Sequence, residues 1–496
     1  VSTGLEFLPD FDSSALDQDV YVGPNRRSPH RLDRLSRRLD RVCSTAVDAL
    51  QIAAMLESDG FNDRIARDEY GFSDVFELAE ELYRRVPARP LPTLVTPRES
   101  DLWRTWREIS KGLLFTLPGL FYPAAFAVCG IRAATLGLTL AAVAGWAWSQ
   151  AMAHLTYRLL GRGDPKGAAR LLLALALLGI VGVTGAMILA SRLKGDLGLA
   201  VTLTVVMLAA AQMVYQMAAS ILFMYERELW LFAALAPGVA VNLAYIVMGA
   251  GAVSPAFALA AAAGSIGLTL LIAIGRATKA AIGKRENPVA LTLGDVRAAL
   301  PFVVYGASCA VFVAFDTLRF WVLNPESAPP ALGFAIVPLV LSMGALEWQL
   351  RRFRERGIDL LCHSRNREKF SRQVRLEFFG ALGRYALPLV VVSALAWVLA
   401  STLGLDRAQA LTLLAANVAL GVGFFAAFVL IGQHRIGAAI GALGAAALVR
   451  AMELIAPFVA FQPHGFDVYY LLSCALFTIL VLTALQSSLT TVIHYR

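Results

Sequence analysis

Twelve apolar runs, each close to the roughly 20 residues that a bilayer's hydrocarbon demands of a helix, constrain this chain more than any other feature. They fall at about 112–130, 133–156, 168–190, 198–223, 230–250 and 253–275. After a polar interval at 276–300 they resume at about 301–323, 331–350, 384–402, 408–432, 437–460 and 468–492. Lipid offers backbone N–H and C=O groups no water, so runs of this length cross it as helices with their bonds internal. With 57% hydrophobic and 16% charged residues in 496, the apolar surface is too large for one soluble core. The composition implies an all-α integral membrane protein.

The loops alternate in charge. Cations concentrate at 157–170, 224–229, 276–300, 351–383 and 433–436, whereas the intervening loops hold only Arg132, Arg192, Lys194 and Arg407. Cations beside spans are retained in the cytoplasm, so both termini are expected there. The formal net charge of +8 is spent on this orientation, which leaves no case for a nucleic-acid partner. Cys43, Cys129, Cys309, Cys362 and Cys474 are scattered without metal-site or redox spacing, and residues 1–30 lack the pattern of a signal peptide.

The anchor of the count is WAWSQAMAHLTYRLLGRGDPKGAAR, Trp146–Arg170: an apolar helix end, a turn through Gly161, Arg162, Gly163 and Asp164, and the start of the next helix. A shifted echo lies about 193 positions later, where Ser149 falls on Ser342, His154 on Glu347 and Arg158 on Arg351. The same offset lays 112–130 on 301–323. The expected organisation is therefore an N-terminal extension (1–95), a first six-helix bundle (96–275), a linker (276–300) and a second bundle (301–496).

Within the extension, residues 1–32 read as disordered. Leu32, Leu35, Leu39, Val42, Ala46, Leu50 and Ala53 then recur at helical spacing, and a second amphipathic helix is expected from about Asn62 to Val86. A Pro-rich spacer, RVPARPLPTLVTP, leads to Trp103 and Trp106, which suit a helix lying at the headgroups.

The six-plus-six count, the repeat and YRLLGRGDPKGAAR resemble the multidrug, oligosaccharidyl-lipid and polysaccharide exporter superfamily, whose turn after the second span reads G-x-G-(D/N)-x-x-x-A-x-x. The resemblance covers roughly 100–496. It implies two six-helix bundles related by a pseudo-two-fold axis along the membrane normal, around a central cleft, in a bacterial-type plasma membrane. Within the superfamily the chain is closest in character to the polysaccharide branch, including Pel-type exopolysaccharide transporters. The long extension and the basic loop from Arg351 to Arg384 depart from the usual compact layout.

Charges inside spans are costly and mark function by default. Asp316 and Arg319 lie one turn apart in the seventh span, and Arg450 and Glu453 repeat the spacing in the eleventh. They read either as a polar site, with arginines facing phosphate and carboxylates binding a coupling cation, or as two self-neutralising ion pairs. Glu347 and His154 are candidate titrating groups; alternatively Arg351 pairs with Glu347 and water reaches His154. Gln150, Gln212, Tyr215, Gln216, Asn242 and Asn417 either bind sugar hydroxyls or join helices. Pro118, Pro123, Pro237, Pro338, Pro388 and Pro457 permit bending. No ATPase, hydrolase or metalloprotease motif occurs, so no enzyme, metal or cofactor is expected beyond a coupling H+ or Na+.

Three functions fit these residues. The first is a flippase-like exporter of a lipid-linked oligosaccharide or exopolysaccharide, with membrane lipids and a cytoplasmic glycosyltransferase as partners. The second is a MATE-like, cation-coupled multidrug antiporter, which would require an acidic pocket. The third is a non-transporting scaffold of a polysaccharide synthesis complex.

Overall fold

The computed structural model describes residues 29–40, 43, 46, 49–86, 102–194, 198–285, 288–323, 330–363, 367–452 and 465–489, and all regular elements among them are helical. Backbone alone is described at 29–30, 102–104, 191–194, 316, 318–323, 330–334, 362–363, 367 and 465–466.

The described residues divide into two compact units. The larger, Asp101–Leu350 with Leu382–Ser488, holds the membrane helices. Its first span is broken: α4 (Leu102–Thr116) passes through a 3-10 turn, Leu117–Phe121, into α5 (Tyr122–Cys129). Pro118, at the start of the turn, and Pro123, in the first turn of α5, account for the break. The expected headgroup helix around Trp103 and Trp106 is not separate, because α4 begins at Leu102 and runs unbroken into the apolar part. Then follow α6 (Ile131–Gly161), α7 (Pro165–Lys194), α8 (Leu199–Met224), α9 (Glu228–Met248) and α10 (Pro255–Ala281). The second set is α11 (Leu293–Leu323), α12 (Pro330–His363), α13 (Arg367–Thr402), α14 (Arg407–Gly432), α15 (Ile436–Ala451) and α16 (Gly465–Gln486). Ten of these segments among the described residues are long and apolar enough to cross a membrane. The shorter apolar α15 and the apolar first part of α12 complete the twelve. The chain is a multi-pass membrane protein.

The two sets are built alike. In the first, α8 and α9 pack on α10, and the broken first span packs on α9; in the second, α14 and α15 pack on α16, and α11 packs on α15. Counted as spans, contacts 4–6, 5–6 and 1–5 recur as 10–12, 11–12 and 7–11. The helix most enclosed by its neighbours also repeats: 61% of the apolar window of α8 and 67% of that of α14 are buried, against 39% or less elsewhere. Each set is a six-helix bundle around its own fourth helix.

The bundles meet at two places that a two-fold rotation exchanges. A Cβ on Gly112 of α4 would strike the Leu341 carbonyl of α12, and one on Gly344 of α12 would strike the Ile109 carbonyl of α4. Equivalently, a Cβ on Gly306 of α11 would lie 2.7 Å from Gln150 Cγ and 3.4 Å from Ala147 Cα, both on α6. Spans 1 and 8 thus cross as spans 7 and 2 do. Small residues let the backbones approach, which is how helices gain packing energy where lipid is as apolar as their side chains.

The smaller unit comprises the described residues of Val1–Ser100, Arg351–Ala381 and Leu489–Arg496. Its N-terminal part has α1 (Pro29–Arg38), α2 (Ala49–Ser58) and α3 (Val75–Arg85) around Leu35, Leu39, Ile52, Leu56, Leu78 and Leu82. The helix expected over Asn62–Val86 is interrupted. Asn62 caps a short turn, Gly71 adopts φ +76°, and Asp74 restarts the helix by accepting from Glu77 N at 2.8 Å. The basic stretch read as a loop, 351–383, is helical on both sides of 364–366, as extensions of α12 and α13.

Gly112→Ala should lower the melting temperature of the purified protein by the equivalent of about 1–3 kcal/mol, because backbone must move to admit the methyl group. Gly267→Ala, where a Cβ meets nothing within 4 Å, should leave it unchanged or slightly raised.

Candidate functional site

Ionised groups collect at the end of the bundle that carries the basic loops. The turn after α6 is the most densely bonded part. Gly163 takes φ +77°, a conformation that admits glycine without strain and turns Asp164 inward. Asp164 is 2% exposed, and its carboxylate accepts from Gly167 N at 2.8 Å, thereby capping α7. It also accepts from Val289 N at 3.1 Å and from the Arg285 guanidinium, whose Nε lies 2.9 Å away. Arg285 in turn donates to Val289 O at 2.8 Å. Hydrogen bonding from Arg285 holds the Asp164 carboxyl well below the usual range, reinforced by the two backbone amides.

Lys166 and Arg170 of the next turn grip carbonyls at the end of α10 and just beyond it. Lys166 Nζ donates to Lys284 O at 2.8 Å, Arg170 Nε to Ala281 O at 3.1 Å and Arg170 Nη2 to Gly283 O at 2.9 Å. Such carbonyls are unsatisfied at a helix C-terminus and favour cations. Gly161, Arg162, Gly163 and Asp164 therefore act with Lys166 and Arg170 to fasten the chain that joins the two bundles.

Ion pairs bridge the bundles at both crossings. At α6 with α11, Asp295 is 2% exposed and receives Arg162 Nη2 at 2.6 Å and Nη1 at 2.9 Å, with Arg158 Nε at 3.3 Å. Asp295 also exchanges hydrogen bonds with Thr292, accepting from its N at 2.9 Å and donating its own N to Thr292 Oγ1 at 3.2 Å, a reciprocal cap on α11. At α4 with α12, Lys111 Nζ lies 2.9 Å from Glu347 Oε2 and 3.7 Å from Glu228 Oε1. Arg107 joins Glu226 at 2.9 Å and Glu228 at 3.7 Å. Polarity reverses between the crossings: the cation is on α4 in one, the anion on α11 in the other. Glu347 is thus tied to the opposite bundle, and Arg351, its expected partner, pairs with Glu355 at 2.9 Å.

Beside this seam, Gln150, Ala153, His154, Tyr157, Arg158 and Phe302 line a shallow recess of about 430 Å³. The His154 ring lies 4.5 Å from that of Phe302, and its Nε2 is buried with no hydrogen-bond partner among the described residues. Most of the other polar candidates serve to join helices. Gln216 Nε2 reaches Ala142 O at 3.4 Å, and Asn242 Nδ2 donates to Gly238 O and Ala258 O at 2.9 and 2.8 Å. Asn417 Nδ2 donates to Ala335 O and Leu413 O at 3.1 and 3.0 Å, and Tyr215 OH reaches Leu114 O at 3.4 Å. Gln212 is half-buried one turn from Gln216 on α8.

In the second bundle Arg450 is 1% exposed at the end of α15, with its guanidinium 4.1 Å from the Tyr470 ring centre and 5.2 Å from that of Phe315. Tyr470 OH donates to Asn417 Oδ1 at 3.0 Å, linking this group to α14. The side chains of Asp316 and Arg319, and Glu453 and Pro457 altogether, lie outside the described residues. Asp164–Arg285 and Asp295–Thr292 are pairings not read from the sequence; the T-x-x-D at the start of α11 is a visible signal for the second, and the first leaves none.

Among solved structures the chain is similar to a MATE crystallised in a bent conformation, at 16% identity and TM-score 0.53, over 80% of this chain and 96% of that one. It is similar also to a multidrug resistance MATE family transporter of the MOP superfamily in an outward-facing conformation, at 15% and 0.52, over 82% and 99%. The fold is that of the MATE transporters. A MATE in complex with MaD3S is similar at 14% and 0.51, over 80% and 99%. No family model matches the sequence, and no curated protein is significantly similar to it. On the MATE fold, the seam described above joins the two bundles at the basic end.

Asp164→Asn should release the linker, and limited trypsin digestion should cut after Lys284 or Arg285 about ten-fold faster, in line with loss of a largely buried ion pair. A carboxyl depressed by its partners stabilises fully at neutral pH. That contribution should fade only as pH drops below the ordinary aspartate value of about 3.9.

Proposed function

We propose that the chain is a membrane carrier working by alternating access between its two bundles, with the basic loops in the cytoplasm of a bacterial-type plasma membrane. The observation that carries this reading is the matched seam, in which two rotation-related helix crossings are each latched by charges. The bridging side chains are partly exposed: Lys111 and Glu347 are 20% and 43% accessible, and Arg162 is 35% accessible opposite buried Asp295. A solvated pair such as Lys111–Glu347 is worth roughly 0–1 kcal/mol, whereas the buried carboxylate of Asp295 makes the second latch the stronger of the two. The MATE fold favours a small amphipathic cargo, as in the multidrug transporters it resembles, with H+ or Na+ as coupling ion.

A second reading, export of a lipid-linked oligosaccharide, draws support from Arg450. It is a cation inside the second bundle, 1% exposed between the Phe315 and Tyr470 rings, which a phosphate would reach only as those helices part. A cytoplasmic glycosyltransferase would then be a natural partner.

Reconstitution in proteoliposomes tests both. Export of a fluorescent organic cation under a H+ or Na+ gradient, unchanged in Arg450→Gln, supports the multidrug reading. Translocation of a polyprenyl-phosphate sugar, reduced at least about ten-fold by Arg450→Gln, supports the second. Failure to move either class contradicts the carrier reading.

The latch has its own test. Glu347→Lys should repel Lys111 and open the seam, so that a cysteine replacing Ala147 reacts several-fold faster with a water-soluble maleimide. Adding Lys111→Glu should restore slow reaction.

A further inference from the structure

The helix α13 carries two continuous rows of side chains. Phe370, Val374, Phe378, Ala381, Tyr385 and Leu389 form a buried row at spacings of three or four. The exposed row runs through Leu387, Val391, Leu395 and Val398 in the apolar part of the helix, whose candidate span covers Glu368–Thr402. Following that row toward the helix start, Phe379 is 55% and Leu376 63% exposed, and the row ends at the exposed Arg375 and Arg372. Leu376, Phe379, both arginines, Ser371 and Glu368 line a recess of about 510 Å³.

Neither Arg372 nor Arg375 makes an ion pair or hydrogen bond among the described residues. An arginine at an apolar boundary normally lays its methylenes on the apolar surface and turns its guanidinium to a polar partner. Here two guanidiniums lie one helical turn from two large exposed apolar side chains, on a row whose remainder is lipid-facing by composition.

We infer that this recess binds the phosphate of an anionic phospholipid of the surrounding bilayer, with Arg372 and Arg375 on the headgroup, Ser371 as an added donor and the acyl chains along Leu376 and Phe379. Charge complementarity and continuity with the lipid-facing row select this occupant. A soluble acidic protein would leave Leu376 and Phe379 uncovered, and a free phosphate would have no use for them. Bound lipid would hold the start of α13 at the headgroup level.

Native mass spectrometry of the full chain from nanodiscs tests the proposal. The wild type should retain phosphatidylglycerol at least about ten-fold more strongly than phosphatidylcholine, as two basic residues at an anionic surface would provide. Arg372→Gln/Arg375→Gln should lose that preference, whereas Arg64→Gln, an exposed arginine on the N-terminal part, should keep it. Leu376→Ser/Phe379→Ser should weaken retention with the arginines intact. Equal retention of both lipids by the wild type, an unchanged preference in the double arginine variant, or displacement of the lipid by millimolar inorganic phosphate would each overturn the assignment. The result is independent of whether any cargo is transported.

Discussion

Everything in this structure follows from the cost of an unpaired polar group where no water can reach it. Twelve long helices answer that cost for the backbone, and side chains answer it at the places where helices must break or join. The N–H of Gly238, next to Pro237 inside α9, finds Ser265 Oγ at 2.8 Å, and Trp148 Nε1 donates to Leu175 O at 2.8 Å. Asn242 and Asn417 each spend their amide on two carbonyls. What look in the sequence like donors for a sugar are largely committed to holding helices together.

The same cost governs the polar end of the molecule. Asp164 is buried and bonded by Arg285 and two amides, which suits a permanent fastening of the inter-bundle linker. Lys111–Glu347 is partly solvated, Arg162–Asp295 has its carboxylate buried as Asp164 has, and both join surfaces whose close approach depends on glycines, with Gln150 packed on Gly306 and the His154 ring 4.5 Å from that of Phe302 at the second crossing. Two such crossings exchanged by one rotation make the contact between the bundles symmetric.

The fold was largely legible because it is written in run length and loop charge: ends of spans such as Gly161–Asp164 and Gly432–Arg435 are marked by residues that cannot continue in lipid. The 193-residue echo pointed to a true rotation, since Gly112 on Leu341 and Gly306 on Ala147 are equivalent contacts. Helices in the basic stretch after Arg351 were not legible, because alternating charge reads equally as loop or as solvated helix. Glu347 was singled out by its depth and its neighbour Arg351, yet its partner, Lys111, is 236 positions away in sequence and on another helix. Asp295 and Arg285 escaped notice for a related reason. They sit in a polar interval where charge is unremarkable, and only the fold shows that Asp295 is enclosed. Arg450 stood out as a charge in an apolar run, whereas its aromatic neighbours Phe315 and Tyr470 come from two other helices and leave no pattern in the chain.

Pulsed electron-electron resonance in nanodiscs tests the central claim most directly, with one spin-label pair at Arg132 and Arg407, in the first turns of α6 and α14 at the end opposite the basic one, and another at Leu160 and Arg297, at the basic end. Opening the latch with Glu347→Lys should lengthen the basic-end distance and shorten the opposite one in the same sample. Distances that change together, or only at one end, would contradict two rigid bundles rocking against each other as the seam parts.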